Sequence, residues 1–171
     1  MITLQPPRKR DGSAIIRLSD DVFGTGYTKL PDINDQYFVV RVDGKFAGFA
    51  NTDIWDEEDA IEQPSDYCLG LIETVVVHPE YRGLGLGTIL VGVATAHLIQ
   101  DGVTLIECHA TTWSDTGICY LKGSLERNGF TVHEYCPRAW EHDDQDFICR
   151  ACGKAPCLCD ATLYRREINN R

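Results

Sequence analysis

The chain has 171 residues, of which 43% are hydrophobic and 25% charged, so residues 1–171 are expected to form a single domain with a real apolar core. Its formal net charge of −10 repels phosphate backbones and disfavours a nucleic-acid partner. No apolar run reaches the ~18 residues that a membrane span needs, and the N-terminus lacks the apolar core of a signal peptide, so we predict a cytoplasmic protein without a membrane partner.

The first predicted elements are short and irregular. Residues 1–12 contain prolines and a basic triplet, which predicts a loose N-terminal segment. Residues 14–18 are interpreted as a short strand. Residues 19–21 resemble the start of a helix, because a capping serine precedes acids that favour the positive end of a helix dipole. Gly24 and Gly26 predict that this helix is short or irregular.

A hairpin is predicted next. Two strand-like runs, residues 37–42 and 45–50, flank Asp43 and Gly44. Both positions of an Asp-Gly turn tolerate positive φ, so the dipeptide indicates a tight β-turn between antiparallel strands. Residues 53–66 are rich in acids and predict an exposed loop.

Strands and helices alternate in the rest of the chain. The apolar run at residues 69–77 predicts a central strand covered on both faces, and residues 86–100 predict a helix that is apolar on most sides and therefore buried. The remaining predicted elements are a strand at 103–110, a helix at 117–128 capped by Gly129, and two last strands at 131–135 and 161–168.

A glycine-rich turn joins the strand at 69–77 to the helix at 86–100. Gly83, Gly85 and Gly87 carry no Cβ, so the backbone can approach a pyrophosphate closely, and unpaired N–H groups at the helix start attract its charge. Arg82 adds a forked cation beside the turn. A Walker A loop needs Lys and Ser/Thr after its last glycine, and a dinucleotide fingerprint needs another glycine spacing, so both fit less well.

The same turn resembles the acetyl-CoA signature of the GNAT superfamily of N-acetyltransferases. Its core pattern, Arg/Gln-x-x-Gly-x-Gly/Ala, is matched by Arg82, Gly85 and Gly87, and the preceding residues Val77, Pro79, Glu80 and Tyr81 also agree with it. The order of the predicted helices and strands over about residues 14–168 also agrees with that of the superfamily. The resemblance implies an α/β (α+β) fold of the N-acetyltransferase type, in which helices flank a mixed central sheet of about seven strands.

The resemblance also implies the reaction and its donor site. The expected enzyme is an N-acetyltransferase that moves an acetyl group directly from acetyl-CoA to a primary amine. The backbone of Val75, Val76 and Val77 would bind the pantetheine arm, and the turn would bind the pyrophosphate. The turn residues are Arg82, Gly83, Leu84, Gly85, Leu86, Gly87 and Thr88. The acidic charge slightly favours a cationic acceptor, although solubility alone also explains that charge.

Proton transfer has several candidate residues. Glu73 lies in an apolar strand, where partial desolvation would raise its pKa towards that of a useful general base, unless it points outward or pairs with a cation. Glu107 and His109 alternate along the next strand, share one face and are the second candidates. The family's usual general acid is a tyrosine four residues before a Gly-Phe pair. Leu125 occupies that position here, and Tyr120 and Cys119, near the start of the same predicted helix, are the candidate substitutes.

Four cysteines, Cys149, Cys152, Cys157 and Cys159, are clustered near the C-terminus. Four thiolates within reach of one tetrahedral ion favour structural Zn²⁺, while free thiols, disulfides or another metal remain alternatives. The cluster lies in a predicted insertion, residues 137–160, between the last two strands. The family places the acceptor site beside this connection, so we hypothesise that zinc orders the insertion. The pocket-shaping residues would be Trp140, His142, Asp143, Asp144 and Asp146.

Other functions remain open alternatives. A catalytically degenerate protein would bind acyl-CoA or use the zinc-organised insertion as an interaction surface. Acyl-CoA-dependent modification of a nucleobase is a third possibility, which the −10 charge disfavours. The expected partners of the enzyme are acetyl-CoA and a small-molecule or peptide amine, and a homodimer is compatible with the sequence.

Overall fold

The computed structural model describes residues 1–28, 36–55, 68–141 and 148–168. The α-helices in these ranges are α1 (Gly12–Phe23), α2 (Leu86–Gln100) and α3 (Lys122–Arg127), and short 3₁₀ helices lie at Lys9–Asp11 and Pro79–Tyr81. The strands are β1 (Ile2–Gln5), β2 (Tyr37–Val42), β3 (Lys45–Trp55), β4 (Leu69–Val77), β5 (Leu105–Thr112), β6 (Thr131–Cys136) and β7 (Asp160–Glu167). No helix in the described ranges has both the length and the apolarity needed to cross a membrane.

The strands form one seven-stranded sheet in the order β1-β2-β3-β4-β5-β7-β6. The β4–β5 pair is parallel, and the other neighbouring pairs are antiparallel. The parallel pair is joined by α2, as a parallel connection requires a crossover. The predicted mixed sheet of about seven strands with flanking helices is therefore confirmed.

The two central strands separate along their length. Their parallel register joins Leu69, Gly70 and Leu71 of β4 to Leu105, Ile106 and Glu107 of β5 and extends no further in the described residues. On their outer sides, β4 continues to pair with β3 as far as Val77, and β5 with β7 as far as Thr112. A gap therefore opens between β4 and β5, and the backbone of β4 beyond Leu71 faces it.

A β-bulge in β4 displaces Glu73. The register between β3 and β4 shifts between Asn51 and Thr52, so no β3 residue stands directly opposite Glu73 in the strand register. One extra residue reverses the alternation of faces, so Ile72 and Val75 pack against the same core cluster although they are three positions apart. The bulge turns Glu73 out of this core.

Apolar clusters cover both faces of the sheet. The larger one lies beneath α2 and α3 and includes the fully buried Leu90, Ile106 and Leu125. The smaller one lies beneath α1 and includes Ile15 and Phe49. Complete burial of one such side chain contributes about 1.5–3 kcal/mol, so these two clusters fix the helices on the sheet.

The N-terminal predictions were wrong. Residues 2–5, expected to be loose, form β1 and pair with β2. Residues 14–18 belong to α1 rather than to a strand, because Ile15 and Leu18 recur at helical spacing and both face the smaller cluster. Ser19 lies inside the helix, where its hydroxyl donates a hydrogen bond to the Ile15 carbonyl (2.9 Å) and does not cap it.

Most of the other element predictions were confirmed, with shifted ends. Asp43 and Gly44 form the expected turn, with φ of 48° and 77°. The helix predicted at 117–128 begins only at Lys122, since residues 117–121 form an irregular connection. Residues 53–55 belong to β3 and not to a loop, while the rest of the predicted acidic loop, residues 56–66, lies outside the described residues.

Candidate active site

A cavity of about 1270 Å³ passes through the gap between β4 and β5. Its turn side is lined by residues 81–89, which follow β4, and by residues before and within α3. Its aromatic side lies towards the end of α1 and is lined by Phe23, Tyr27, Tyr37, Trp113 and Trp140. Residues 71–77 of β4 and residues 107–111 of β5 form the walls between the two sides.

The turn side is built mainly from backbone. Gly83 and Gly85 have φ of 81° and 75°, a left-handed conformation that favours glycine, and a Cβ on either would have no atom within 4 Å. Gly85 is the N-cap of α2 and makes no side-chain cap hydrogen bond. The first N–H groups of α2 therefore border open space at the positive end of the helix dipole.

Gly87 has a different role from the one expected. A Cβ at this position would lie 3.0 Å from the Ser124 hydroxyl oxygen, so Gly87 allows α2 and α3 to pack closely. The side-chain amide of Asn128 donates to the carbonyls of Thr88 (3.0 Å) and Ser124 (2.8 Å) and holds the two helices together. The space beside Gly83 and Gly85 is thus open, whereas the space beside Gly87 is filled by α3.

The turn side also carries cations. The Arg82 Nε donates a hydrogen bond to the Val77 carbonyl (3.4 Å), and its guanidinium carbon lies 5.9 Å from the centroid of the Tyr120 ring. Arg127 lines the same side and donates to the Gly123 carbonyl (2.8 Å). These two arginines and the start of α2 form an electropositive site suited to a polyanionic ligand.

Val75, Val76 and Val77 line the cavity between its two sides. Their strand pairs with β3 on one edge, whereas the other edge faces the gap. An unpaired strand edge offers alternating N–H and C=O groups to an extended ligand. The backbone of these residues can therefore bind a ligand arm that contains amides.

Glu73 projects into the cavity from the bulge of β4. Its carboxylate accepts a hydrogen bond from the Asn51 side-chain amide (2.5 Å). Burial by the cavity walls raises the pKa of Glu73, the nearby Asp53 charge raises it further, and the Asn51 hydrogen bond partly offsets both effects. Because the residue remains accessible through the cavity, it can exchange a proton with a bound molecule.

Glu107 and His109 project from the same face of β5 and both line the cavity. Glu107 is only 7% exposed and forms an ion pair with Arg165, whose guanidinium also contacts the His133 Nε2 (2.6 Å). This ion pair already uses the Glu107 charge, which makes Glu107 a poorer base than Glu73. His109 is exposed, and its ring lies edge-on to Trp140 with a centroid separation of 6.4 Å.

A residue of the apolar core occupies the position where the family's tyrosine general acid is expected. Leu125 is 0% exposed and belongs to the larger cluster, so it cannot reach the cavity. Tyr120 is 60% exposed and lines the cavity from the turn before α3. Ser124 lines it as well, and its hydroxyl lies 3.4 Å from that of Thr88. No local motif in the sequence indicated Ser124.

The aromatic side was largely missed by sequence reasoning. Phe23 stacks on Tyr27 and on Trp113, with centroid separations of 4.2 and 5.6 Å. Burial raises the pKa of Tyr27 and Tyr37, and the Glu73 charge raises both further. The four residues come from three segments, namely the end of α1, β2 and the loop after β5, so no single spacing relates them. Trp140, which was predicted, lines the cavity, whereas His142, Asp143, Asp144 and Asp146 lie outside the described residues.

The charges that line the cavity are segregated. Its carboxylates, Glu73 and the ion-paired Glu107, lie on the walls between the two sides, whereas Arg82 and Arg127 lie on the turn side. Among the described lining residues, the aromatic side has no lysine or arginine. One side therefore favours an anion and the other a cation.

The predicted cysteine cluster is assembled in space. The sulfurs of Cys149, Cys152, Cys157 and Cys159 all lie within 4.8 Å of one another. Three of their separations are 3.7–3.8 Å. A tetrahedral ion with Zn–S bonds of about 2.3 Å separates its sulfurs by about 3.8 Å, whereas a disulfide would need about 2.05 Å. The four sulfurs thus fit one tetrahedral ion.

Hydrogen bonds to sulfur complete this cluster. The Leu158 N–H donates to the Cys152 sulfur (3.2 Å), and the Ser114 N–H donates to the Cys159 sulfur (3.4 Å). Such donors stabilise thiolates that bind a metal. Ser114 follows β5 and lies far from the cluster in sequence, so only the fold shows its contact with the sulfurs.

Comparison with protein families identifies the class of this protein. The profile described as the acetyltransferase (GNAT) family matches residues 14–118, more than half of the chain. The chain therefore belongs to the acetyltransferase (GNAT) family and is an acyltransferase, which confirms the resemblance drawn from the glycine turn. A comparison with curated protein sequences finds no match.

Solved structures share the fold over almost the whole chain. The ribosomal-protein-S18-alanine N-acetyltransferase from Escherichia coli is 16% identical with a TM-score of 0.64, covering 100% of this chain and 96% of that one. Salmonella typhimurium yncA with its cofactor acetyl-CoA is 18% identical with a TM-score of 0.67 and the same coverage. Arabidopsis thaliana NAA60 in complex with a bisubstrate analogue is 17% identical with a TM-score of 0.69, covering 100% of both chains.

Proposed function

We propose that this chain transfers an acetyl group from acetyl-CoA to a primary amine by direct attack in a ternary complex. The observation that carries the proposal is one cavity that joins the Gly83–Gly85 turn to the Glu73 carboxylate through the gap between β4 and β5. A donor held at the turn and an acceptor entering from the aromatic side would meet in this gap. Direct transfer then needs no acylated residue of the protein.

The proposed donor interactions use the electropositive turn side. The pyrophosphate would bind the backbone N–H groups of residues 82–88, with Arg82 as an added cation. The pantetheine arm would extend along the open edge of β4 at Val75 to Val77. The acetyl-CoA or CoA-type ligands named for family structures support acetyl-CoA as the donor.

The proposed chemistry begins with Glu73 as the general base. It would accept a proton from the acceptor ammonium or amine, and the amine nitrogen would attack the acetyl carbonyl carbon. An N–H group at Val76 or Val77 would stabilise the oxyanion. As the C–S bond breaks, the CoA thiolate would take a proton from the Tyr120 hydroxyl. His109 and the ion-paired Glu107 would contact the acceptor.

The proposed acceptor is a cationic amine. The aromatic rings offer faces to an ammonium or to its alkyl chain, and Glu73 supplies negative charge. An acceptor with a carboxylate beside its amine would be repelled by Glu73, whose described hydrogen-bond partner is the uncharged Asn51, whereas Glu107 is already paired with Arg165. Polyamines, alkyl diamines and lysine side chains therefore fit better than free α-amino acids.

The proposed metal is structural Zn²⁺ on Cys149, Cys152, Cys157 and Cys159. Four thiolates occupy all four coordination positions of a tetrahedral ion. The ion would therefore support the fold and take no part in acyl transfer.

Acetyl-CoA calorimetry followed by a CoA-release assay over an amine panel tests this function. The panel holds spermidine, an alkyl diamine, a lysine peptide and free glycine. We expect acetyl-CoA binding, and CoA release that is fastest with the cations and slowest with glycine. Binding without release on any amine would favour a degenerate acyl-CoA-binding protein, an alternative that the buried Leu125 supports.

A further inference from the structure

The cysteine cluster contacts the loop that follows β5. The Ser114 N–H donates to the Cys159 sulfur (3.4 Å), and the Ser114 hydroxyl lies 3.2 Å from the Cys152 sulfur and 3.6 Å from that of Cys159. Ser114 directly follows Trp113, whose ring lines the aromatic side of the cavity. The sulfurs therefore fix the backbone beside one of the cavity's aromatic rings.

The same cluster also contacts the end of α1. The Arg150 N–H, between the first two cysteines, donates to the Phe23 carbonyl (2.8 Å). Phe23 is the last residue of α1, and its ring stacks on those of Tyr27 and Trp113. A single backbone hydrogen bond thus joins the metal-binding segment to a second part of the aromatic side.

Apolar packing joins these contacts. Cys149, Cys157 and Cys159 are buried, and Trp113 and Trp140 pack against them. Trp140 belongs to the same connection between β6 and β7 as the cysteines. The aromatic side therefore takes Phe23, Trp113 and Trp140 from three segments that are distant in sequence but meet at the sulfurs.

The segment that carries the cysteines has little regular structure of its own. Between Cys149 and Cys159 the backbone forms turns and bends, with no helix or strand. Without an ion no bond links the four sulfurs, whereas a bound ion joins them into one rigid unit. The geometry of the three aromatic residues therefore depends on whether the ion is bound.

We infer that the metal-bound cysteine cluster is a positioning element for the acceptor, acting through Phe23, Trp113 and Trp140. The inference rests on the proposed function, since it assigns the aromatic side to the acceptor. The described contacts of the cluster involve the aromatic side and none of the turn residues 82–88. Loss of the metal should therefore weaken acceptor recognition and leave donor binding intact.

Metal removal from the full chain is the direct test. Zinc is removed from the folded wild-type protein with a chelator and restored by adding zinc, and the variant Cys152→Ser is compared with Cys136→Ser. Cys136 lies on β6 outside the cluster, so its variant is a matched control that retains all four ligands. Metal content, hydrogen exchange, acetyl-CoA affinity and acceptor KM are measured on each protein.

We expect one zinc per wild-type chain. In metal-free protein and in Cys152→Ser, backbone amide hydrogens should exchange faster at residues 21–28 and 111–116. Amide exchange at residues 82–90 and the acetyl-CoA dissociation constant should stay unchanged. Acceptor KM should rise by at least about tenfold, in the range seen when the surroundings of a metal site are disturbed. Added zinc should reverse these changes in the chelated wild type, and Cys136→Ser should resemble the wild type.

Ser114→Ala provides a milder variant. It keeps all four thiolates and the backbone N–H, but removes the hydroxyl near two sulfurs. We expect zinc affinity to fall by roughly 10- to 100-fold and acceptor KM to return to the wild-type value at saturating zinc. A KM that stays high at saturating zinc would mean that Ser114 contacts the acceptor itself, and it would contradict a positioning role.

Several results would overturn the inference. They are a wild-type chain that binds no metal, an unchanged acceptor KM in folded metal-free protein, or faster exchange that extends to the turn. A zinc-loaded wild type that acetylates no amine would instead overturn the proposed function. In that case, hydrogen exchange and acetyl-CoA affinity would still test whether the metal orders the aromatic side alone.

Discussion

The two sides of the cavity are built in different ways. The turn side is built mainly from one continuous stretch, residues 81–89, whose main groups are backbone N–H donors and a helix dipole, and residues in and before α3 complete it. The aromatic side comes from side chains of α1, β2, the loop after β5 and the connection between β6 and β7. The contrast teaches that a backbone-built site leaves a local sequence motif, whereas a site assembled from side chains does not.

This difference has a chemical reason. A pyrophosphate is the same in every CoA ester, so a turn that binds it depends on conformation, which Gly83 and Gly85 satisfy through positive φ. Acceptors vary in shape and charge, and their site varies through side chains on separate elements. Variants on each side should therefore change different kinetic constants.

Glu73 lies between the two sides of the cavity, and Glu73→Gln is expected to have the largest effect on activity. Loss of the base should lower kcat/KM by roughly 100- to 10,000-fold, while the acetyl-CoA dissociation constant stays unchanged. Steady-state kinetics and calorimetry provide the measurements. Glu80→Gln, at an exposed acid outside the cavity lining, is the matched control and should retain full activity. Full activity in Glu73→Gln would exclude Glu73 as the base.

The pH dependence sharpens this test. The pKa of Glu73 is raised by burial and by Asp53, so the wild-type rate should fall as the pH drops through that raised value, and Glu73→Gln should lose this acidic limb. A carboxyl whose folded-state pKa is raised adds stability below its unfolded pKa and loses it as the pH rises through the folded pKa. At neutral pH, Glu73→Gln should therefore have a melting temperature equal to or above that of the wild type.

Gly85→Ala should affect only the turn side. A left-handed conformation costs an alanine roughly 1–2 kcal/mol, and relief of this strain would move the N–H donors, so we expect about tenfold weaker acetyl-CoA binding. Gly44→Ala is a matched control, since Gly44 has a similar φ of 77° and equally open surroundings in a hairpin turn. Equal acetyl-CoA affinity in both variants would contradict a backbone-built donor site.

Tyr120→Phe should have a smaller effect, on kcat. Loss of the phenol proton donor should lower kcat by about tenfold, less than the roughly 100- to 10,000-fold usual for a general acid, and leave both KM values nearly unchanged. Ser124→Ala, at another hydroxyl on the turn side, should lower kcat less. The reverse order would transfer the role of proton donor to Ser124.

Glu107→Gln should have the smallest effect. Arg165 already neutralises this carboxylate, and the Arg165 side chain is 35% exposed, so it can be hydrated when its partner is lost. We expect the acidic limb of the pH–rate profile to remain and acceptor KM to rise slightly. Disappearance of that limb in Glu107→Gln would make Glu107, and not Glu73, the titrating base.

The sequence predicted some elements better than others, for identifiable reasons. The ends of α2 were predicted correctly, because a long apolar helix lies between a glycine turn and Asp101-Gly102. Residues 14–18 were misassigned, because a short apolar run is compatible with a strand or a helix until the face it packs against is known. In the structure, Ile15 and Leu18 are three positions apart and both face the sheet, so the run is part of the helix α1.

The residues of the candidate site also differ in whether the sequence could predict them. The turn residues and the four cysteines were found from spacing, since each set lies within a dozen residues. The bulge at Glu73 depends on its register with β3, and the pairing of Glu107 with Arg165 joins residues 58 positions apart. Neither could be derived from local pattern, because both arise from contacts between distant strands.

The sequence by itself determined the fold class, the glycine-rich turn and the grouping of the cysteines. The conformational requirements of glycine and the clustering of thiols are local properties, so they can be predicted from residues that are close together in the sequence. Only the tertiary structure decided how Phe23, Tyr27 and Trp113 meet and how the cysteine cluster contacts two of their segments. Packing of distant elements creates such contacts, and the packing follows from burial over the whole chain.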